Sequence, residues 1–260
     1  MCPKLIEKPR FVDTHCHLEN ELFDIDRDTV VKTADNMGIH IITSAIHKEL
    51  WSKSDEISNR YQNVYASIGL DPTSYSECDL VIEWIQSNCE RIVAIGETGL
   101  DHYRTRDHKE RELQRICFGR LIELSQKIGI PIQVHSRSAG QKALEVLYAH
   151  NAEEVHMHAF DGKASLARTA SRDLGYYFSI PTSVVRSPQK RKLVKAVAIE
   201  HLLLETDSPV LGPEKGGRNV PSNLPIVVQE ISKILRRDEE EIREIALENS
   251  LRLYSKIQTK

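Results

Sequence analysis

Two histidines separated by one residue, His15 and His17, follow the first β-branched run of the chain. Side chains two residues apart on an extended strand point to the same face, so both imidazoles can bind one ion. The pair alone is a weak signal, because 11 histidines in 260 residues produce such spacings readily, and His156 and His158 form a second pair. Without further ligands, a hydrogen-bonded surface or core histidine explains either pair.

Four more side chains able to bind metal follow other β-like runs: Glu97, His135, His158 and Asp207. Imidazole nitrogens and carboxylate oxygens suit Zn²⁺, Mn²⁺, Fe²⁺ or Ni²⁺, and Mg²⁺ is a further candidate with carboxylates. Two such ions about 3.5–4 Å apart can hold the attacking and leaving oxygens of a displacement. Acids buried at strand ends without a partner would be costly. A site for two divalent ions bridged by Glu97 is therefore the favoured interpretation.

The elements that must position these ligands are short β-branched or apolar runs at residues 11–14, 39–45, 63–68, 92–96, 131–135, 154–158, 176–180 and 202–206. Amphipathic stretches between them, such as residues 107–128, 139–147, 188–197 and 239–254, have the periodicity of helices. Eight strands in 260 residues give roughly 32 residues per unit, the length of a strand with its crossover helix.

This pattern predicts an α/β fold, a single (β/α)8 TIM barrel of the amidohydrolase-like kind, with residues 1–260 forming one domain. An open doubly wound sheet is the alternative. Its usual Gly-rich turn after the first strand is replaced here by residues 13–17 (DTHCH). A barrel places its active site at the carboxyl ends of its strands, which is where the candidate ligands lie.

The chain resembles the TatD family of metal-dependent hydrolases, which are barrel deoxyribonucleases. The resemblance runs nearly end to end and is carried by residues 11–18 (FVDTHCHL), 96–101 (GETGLD), 134–137 (VHSR), 158–160 (HAF) and 205–209 (ETDSP). It implies that one ion is held by His15, His17, Glu97 and Asp207, and the second by Glu97, His135 and His158.

Two positions depart from the family pattern. Asp71 stands where the family usually has a histidine near the substrate phosphate, and Asp161 replaces a usual serine. Both changes add a carboxylate near the predicted mouth, where it would repel a phosphodiester unless it bound metal or faced away. The predicted substrate contacts are Asp71, Arg104, Arg137 and Lys163.

The predicted function is metal-dependent hydrolysis, with DNA as the expected substrate. A water acidified by the ions and oriented by Asp207 would attack the substrate, and Glu97 and Asp207 are the predicted catalytic residues. An amide or ester hydrolase, such as an amidohydrolase or an aminoacyl-tRNA deacylase, could use the same site. Strand four ends in Glu97 and not in the lysine that many binuclear amidohydrolases carbamylate, which favours the phosphodiesterase. A non-enzymatic binding barrel is the remaining alternative.

Composition limits the partners and the compartment. A formal charge of −3 and a pI near 6.4 exclude coating of nucleic acid through bulk positive charge. No apolar run approaches the roughly 20 residues of a membrane helix. The five widely separated cysteines lack the spacing of a zinc knuckle or a redox pair. We therefore expect a cytoplasmic protein in a reducing compartment, with no membrane association and no obligate protein partner.

Two smaller predictions concern polar residues outside the ligand set. His156 is expected to be a core residue beneath His158, although support of the site is the alternative. The basic run around Lys190 is expected to form a solvated helix face.

Overall fold

The computed structural model describes residues 9–259 and contains an eight-stranded sheet. The strands are β1 (Phe11–Cys16), β2 (Ile39–Ala45), β3 (Val64–Ile68), β4 (Ile92–Gly99), β5 (Ile132–His135), β6 (Val155–Met157), β7 (Tyr177–Pro181) and β8 (Leu202–Glu205). Neighbours pair in parallel in chain order. The first and last strands also meet, because the Thr14 hydroxyl donates to the Leu204 carbonyl at 2.9 Å. The predicted (β/α)8 barrel is confirmed.

Helices lie between and after the strands. They are α1 (Arg27–Asn36), α2 (Lys48–Arg60), α3 (Cys78–Asn88), α4 (His108–Ile128), α5 (Gly140–Ala149), α6 (Ala164–Asp173), α7 (Pro188–Val194), α8 (Leu224–Leu235) and α9 (Glu239–Leu253). The predicted elements agree with these bounds to within a few residues. The larger differences are that β4 continues to Gly99 and that α7 ends at Val194.

Local chemistry explains why several helices begin and end where they do. The Asp107 carboxylate accepts from the first backbone amides of α4, and the Ser187 hydroxyl accepts from the Lys190 amide in α7. Pro188 occupies the first position of α7, where a missing amide hydrogen costs nothing. Gly129 ends α4 at φ 67°, a conformation that glycine adopts without a Cβ penalty.

The last residue of α9 and the segment after it cover the amino-terminal end of the barrel. Buried Leu253, Tyr254 and Ile257 pack in one cluster with residues at the second position of several strands, among them Val12 and Leu203. The carboxyl ends of the strands lie at the opposite end. The two ends therefore differ in role, since one is closed by apolar packing and the other carries the candidate ligands.

One disulfide was not indicated by the spacing of the cysteines. It joins Cys78 in α3 to Cys117 in α4. The two residues are 39 positions apart, so only the packing of the two helices brings them together. Cys16 is buried and unpaired, Cys89 is also free, and Cys2 lies outside the described residues. Within residues 9–259 no helix is both long and apolar enough to span a bilayer.

Candidate metal centre

All six predicted ligands converge at the carboxyl-terminal mouth of the barrel. One half of the site is formed by the two histidines of the first strand and its loop. His15 Nε2 lies 3.3 Å from Glu97 Oε2, and His17 Nε2 lies 3.6 Å from the same oxygen. Asp207 Oδ1 is 3.8 Å from His15 Nε2 and 3.5 Å from His17 Nε2. Two nitrogens and two carboxylates therefore face one point.

The other half of the site uses the second oxygen of the same glutamate. Glu97 Oε1 is in close contact with His135 Nδ1 and lies 3.9 Å from His158 Nε2. Asp207 Oδ2 is also 4.0 Å from His158 Nε2. Glu97 therefore turns one oxygen to His15 and His17 and the other to His135 and His158, which is the geometry that a bridging carboxylate needs.

Hydrogen bonds on the far side of the first two rings fix which nitrogen faces Glu97. His17 Nδ1 donates to the Ser44 carbonyl at 2.8 Å, and His15 Nδ1 pairs with Gln133 Oε1 at 3.0 Å. The Gln133 amide nitrogen donates to the Thr14 carbonyl at 2.9 Å, and this fixes the amide orientation because a carbonyl only accepts. Both rings therefore carry hydrogen on Nδ1, which leaves Nε2 free to bind an ion.

The other two rings are oriented by carboxylates. His158 Nδ1 donates to Glu205 Oε2 at 2.8 Å, and His135 Nε2 donates to Asp101 Oδ2 at 3.2 Å. In His158 the nitrogen that faces Glu97 is thus the one without hydrogen, and in His135 it is the nitrogen that loses its proton when an ion binds. Histidine ligands of metals are characteristically held in this way by a second acceptor.

The residues fit divalent ions on an observation independent of any resemblance. His15 Nε2 is fully buried and has no hydrogen-bond partner within the described residues, although an unpartnered buried nitrogen is costly. Ligand atoms about 2.0–2.1 Å from a tetrahedral ion lie about 3.4 Å from one another. The His15–Glu97 and His17–Asp207 separations of 3.3 and 3.5 Å agree with this spacing. Among residues 9–259, two groups can hold an ion, one of His15, Glu97 and His158 and one of His15, His17 and Asp207.

The electrostatics of the site are dominated by burial and by the carboxylates. Burial alone would raise the pKa of Glu97, but the positive charge of His135 holds it well below the usual value. Burial opposes charge on His135 as well, yet the carboxylates of Glu97 and Asp101 raise its pKa to about 10. Burial lowers the pKa of His158 to about 3, so this ring is neutral and ready to bind. An ion at the site would replace the proton that His135 carries in its absence.

Backbone geometry brings the acidic ligands into place. A Cβ at Gly69 would lie 2.1 Å from the Glu97 carbonyl oxygen, so only glycine allows the loop after β3 to approach Glu97 this closely. Asp207 adopts φ 54°, an uncommon conformation for a residue with a side chain. Its amide donates to the His15 carbonyl at 2.9 Å. The buried carboxylate of Asp13 accepts from the Thr206 amide at 2.8 Å and so supports the same turn.

The four predicted substrate contacts lie on the loops around the mouth, and we call Asp71, Arg104, Arg137 and Lys163 the rim. Asp71 Oδ2 is paired with Arg104 at 2.6 Å, and Asp71 Oδ1 accepts from the Thr73 amide. Arg137 is exposed and its guanidinium lies 4.0 Å from the ring centre of Tyr103. Lys163 is exposed at the start of α6. None of the four is part of the ligand cluster.

Several supporting residues were missed by the sequence reasoning. Gln133, Glu205 and Asp13 each precede a predicted ligand by two positions and therefore share its side of the strand or turn. A position two residues before a ligand therefore indicates a supporting residue, and the sequence analysis considered this role only for His156. His156 is fully buried between Tyr254 and Ser179, as predicted for a core residue.

The prediction of a solvated face around Lys190 is wrong for this residue. Lys190 is buried, and its ammonium donates to the carbonyls of Ala159 and Phe160 at 2.7 and 3.0 Å. These carbonyls belong to the turn that follows His158. The lysine sits on the helix face that packs against this turn, where carbonyl acceptors compensate the loss of water.

Comparison with known proteins identifies the family to which the chain belongs. The family model described as TatD related DNase matches residues 12–255. Deoxyribonuclease TATDN3 of Homo sapiens is 37% identical over 262 residues, covering 95% of each chain. The uncharacterized metal-dependent hydrolase MJ1582 of Methanocaldococcus jannaschii is 32% identical over 251 residues, covering 95% of this chain and 98% of its own.

A solved structure shows the same fold. The TatD homologue YJJV of Escherichia coli superposes with a TM-score of 0.86 at 27% sequence identity, covering 95% of this chain and 98% of that one. The chain therefore belongs to the family of TatD-related deoxyribonucleases, which are metal-dependent hydrolases acting on ester bonds.

Proposed function

We propose that this protein is a deoxyribonuclease that hydrolyses phosphodiester bonds of DNA with two divalent ions. The observation that carries the proposal is Glu97, whose two carboxylate oxygens face two different pairs of histidines. The first ion would be held by His15, His17, Glu97 and Asp207, and the second by Glu97, His135 and His158. When bound, such ions act as Lewis acids toward a phosphoryl oxygen and lower the pKa of water.

Asp207 is the residue best placed to act on the attacking water. Its two oxygens face opposite halves of the site, because Oδ1 lies near His17 and Oδ2 near His158. A carboxylate in this position can accept a hydrogen bond from water and orient its lone pair toward phosphorus. Glu97 and Asp207 are therefore the proposed catalytic residues. Glu97 would act by binding both ions, one with each carboxylate oxygen.

Two features support DNA over an amide or ester substrate. The human relative is named a deoxyribonuclease, and the rim supplies three cations that can contact phosphates. The two extra acids are also less repulsive than the sequence suggested. Asp71 is paired with Arg104, and Asp161 accepts from the Ser138 amide at 2.7 Å. A polyanion therefore meets a mouth at which both of these carboxylates already have partners.

One assay tests the proposal. Purified protein is stripped of metal, reloaded with Mg²⁺, Mn²⁺, Zn²⁺, Fe²⁺ or Ni²⁺, and offered labelled single-stranded DNA, duplex DNA and aminoacylated RNA. We expect elemental analysis to find two ions per chain, and DNA cleavage that disappears with the metal and returns on reloading. Binding of one ion would contradict the dinuclear site. Deacylation of RNA without cleavage of DNA would favour the ester hydrolase.

A further inference from the structure

A continuous set of buried hydrogen bonds runs beneath the metal centre, and we call its members Gln133, Ser179, His156, Glu205 and Tyr254 the buried floor. Every one of these residues except Tyr254 lies on a barrel strand. Tyr254 comes from the segment after α9 that covers the opposite end of the barrel, and it is fully buried. Its hydroxyl therefore reaches into the barrel from the end that carries no candidate ligand.

On one side the hydroxyl of Tyr254 connects to His15. Gln133 Nε2 donates to the Tyr254 oxygen at 3.0 Å and to the Thr14 carbonyl at 2.9 Å. Gln133 Oε1 accepts from His15 Nδ1 at 3.0 Å and from the Ser44 hydroxyl at 2.7 Å. The amide thus uses all four of its hydrogen-bonding positions. Tyr254 is one of the two acceptors that hold its nitrogen away from His15.

On the other side the same hydroxyl connects to His158. Ser179 donates to Glu205 Oε2 at 2.6 Å, because a carboxylate oxygen accepts. The single hydroxyl hydrogen of Ser179 is thereby used, so His156 Nε2 donates to Ser179 at 2.7 Å, and the Tyr254 hydroxyl donates to the remaining ring nitrogen, His156 Nδ1, at 2.6 Å. Glu205 Oε2 also accepts from His158 Nδ1. In each of these hydrogen bonds the donor and the acceptor are therefore fixed.

We infer that Tyr254 is a positioning residue for both halves of the metal centre, acting through the buried floor on His15 and His158. The inference rests on the proposed function, because it treats these two rings as metal ligands. The hydroxyl of Tyr254 bonds to Gln133 and His156, and through them it acts on the two rings. Its role is to set the hydrogen positions that leave Nε2 of both rings free to bind an ion.

The consequence of removing the hydroxyl follows from the chemistry of the neutral imidazole. Without the Tyr254 hydroxyl, the buried Nδ1 of His156 has no donor, and the imidazole is held only by the bond from Nε2 to Ser179. The ring is then no longer held on both sides, so the Ser179 bond to Glu205 loses the support behind it. Gln133 loses one of its two acceptors at the same time. Both supports weaken, although no ligand has been changed.

The test compares Tyr254→Phe with Tyr65→Phe. Tyr65 is a matched control, because it is a buried tyrosine of the same apolar cluster and its hydroxyl donates to the Ile257 carbonyl in the same terminal segment. Zinc affinity of each full-length protein is measured by competition with a chelator, alongside kcat, KM and the Tm of the metal-free form. Loss of an outer hydrogen-bond partner typically weakens metal affinity by about 10- to 100-fold.

We expect Tyr254→Phe to lose affinity at both ions within that range and to lower kcat with little change in KM. Tyr65→Phe should retain the affinity of the wild type, even if its Tm falls. Equal affinities in Tyr254→Phe and the wild type would overturn the inference while leaving the proposed function intact. A wild-type protein that binds no divalent ion would overturn both.

A second variant keeps the inference testable if Tyr254→Phe fails to fold. Ser179→Ala removes only the link between His156 and Glu205 and leaves the terminal segment unchanged. We expect it to weaken one ion, the one held by His158, and to leave the other at wild-type affinity. Unchanged affinity at both ions in Ser179→Ala would overturn the inference.

Discussion

The buried floor lies beneath the mouth of the barrel and the rim lies around it, and the two differ in how far their side chains are exposed. Each side chain of the floor is fully buried and takes part in a directed hydrogen bond that ends at a ligand. On the rim, Arg137 and Lys163 are exposed, and the Arg104 side chain is 48% exposed although it pairs with Asp71. The protein thus fixes the ligands from below and leaves the substrate contacts open to solvent.

The difference has an energetic consequence. A buried donor or acceptor that loses its partner costs about 1–3 kcal/mol, whereas an exposed ion pair contributes about 0.2–1 kcal/mol. Changes at the centre and its floor should therefore alter metal binding and kcat strongly. Changes on the rim should alter KM weakly and in a salt-dependent way.

The largest effect is expected at the centre, for Glu97→Ala. Because this carboxylate faces both halves of the site, its loss should remove both ions and lower activity by more than the roughly 100-fold that an outer partner can cost. His156→Ala should cost less, within about 10- to 100-fold. Elemental analysis and turnover measure both. Two ions per chain retained in Glu97→Ala would defeat the bridging role.

The next effect is expected in the floor, for Glu205→Gln. The Glu205 carboxylate accepts hydrogen bonds from Ser179, His158 and the Ala159 amide. Glutamine has the same size, but it replaces one accepting oxygen with a donating NH₂ group. We expect metal affinity to fall by about 10- to 100-fold. Glu230→Gln, which removes a carboxylate paired with Arg191 outside the barrel, is the control. Similar losses in both variants would show that the floor has no special role.

A smaller effect is expected on the rim, for Arg137→Ala. If this cation contacts a phosphate, KM for DNA should rise while kcat is retained. The slope of log KM against log salt should fall by about 0.7–0.9. Arg172→Ala removes an exposed arginine at the far end of α6 and should leave the slope unchanged. A fall in kcat at constant KM would show that Arg137 acts on the metal centre, and the proposed difference between the rim and the centre would then be wrong.

The smallest effect is expected for Asp71→His. If the substrate is DNA, this change removes a negative charge and frees Arg104, so it should lower KM at low salt. Because a partly exposed ion pair is worth at most about 1 kcal/mol, the gain should not exceed about fivefold. The comparison is kcat/KM at two ionic strengths.

Asp71→Asn is the control for the fold, since an amide oxygen can still accept from the Thr73 amide and preserve the turn. A wild-type enzyme that cleaves DNA well, together with an Asp71→His variant that loses activity, would show that Asp71 assists the substrate.

Much of the architecture and the ligand set could be predicted from local sequence patterns. Strand and helix periodicity, together with caps such as Ser187 and Gly129, determines the elements, and eight repeats leave few topologies. The ligands could be found because each follows a strand and has a side chain suited to metals. His15, His17 and Glu97 are examples, and the structure places all three at the same mouth.

The sequence by itself therefore determined the barrel and the residue types at its mouth, because both depend on patterns a few residues long. Only the tertiary structure decided which partner each of these residues has. Tyr254 lies 121 positions from Gln133 and 98 from His156, and Cys78 pairs with Cys117 across 39 residues. A hydrogen bond or a disulfide depends on distance and direction in space, and for residues so far apart both are set by how the strands and helices pack.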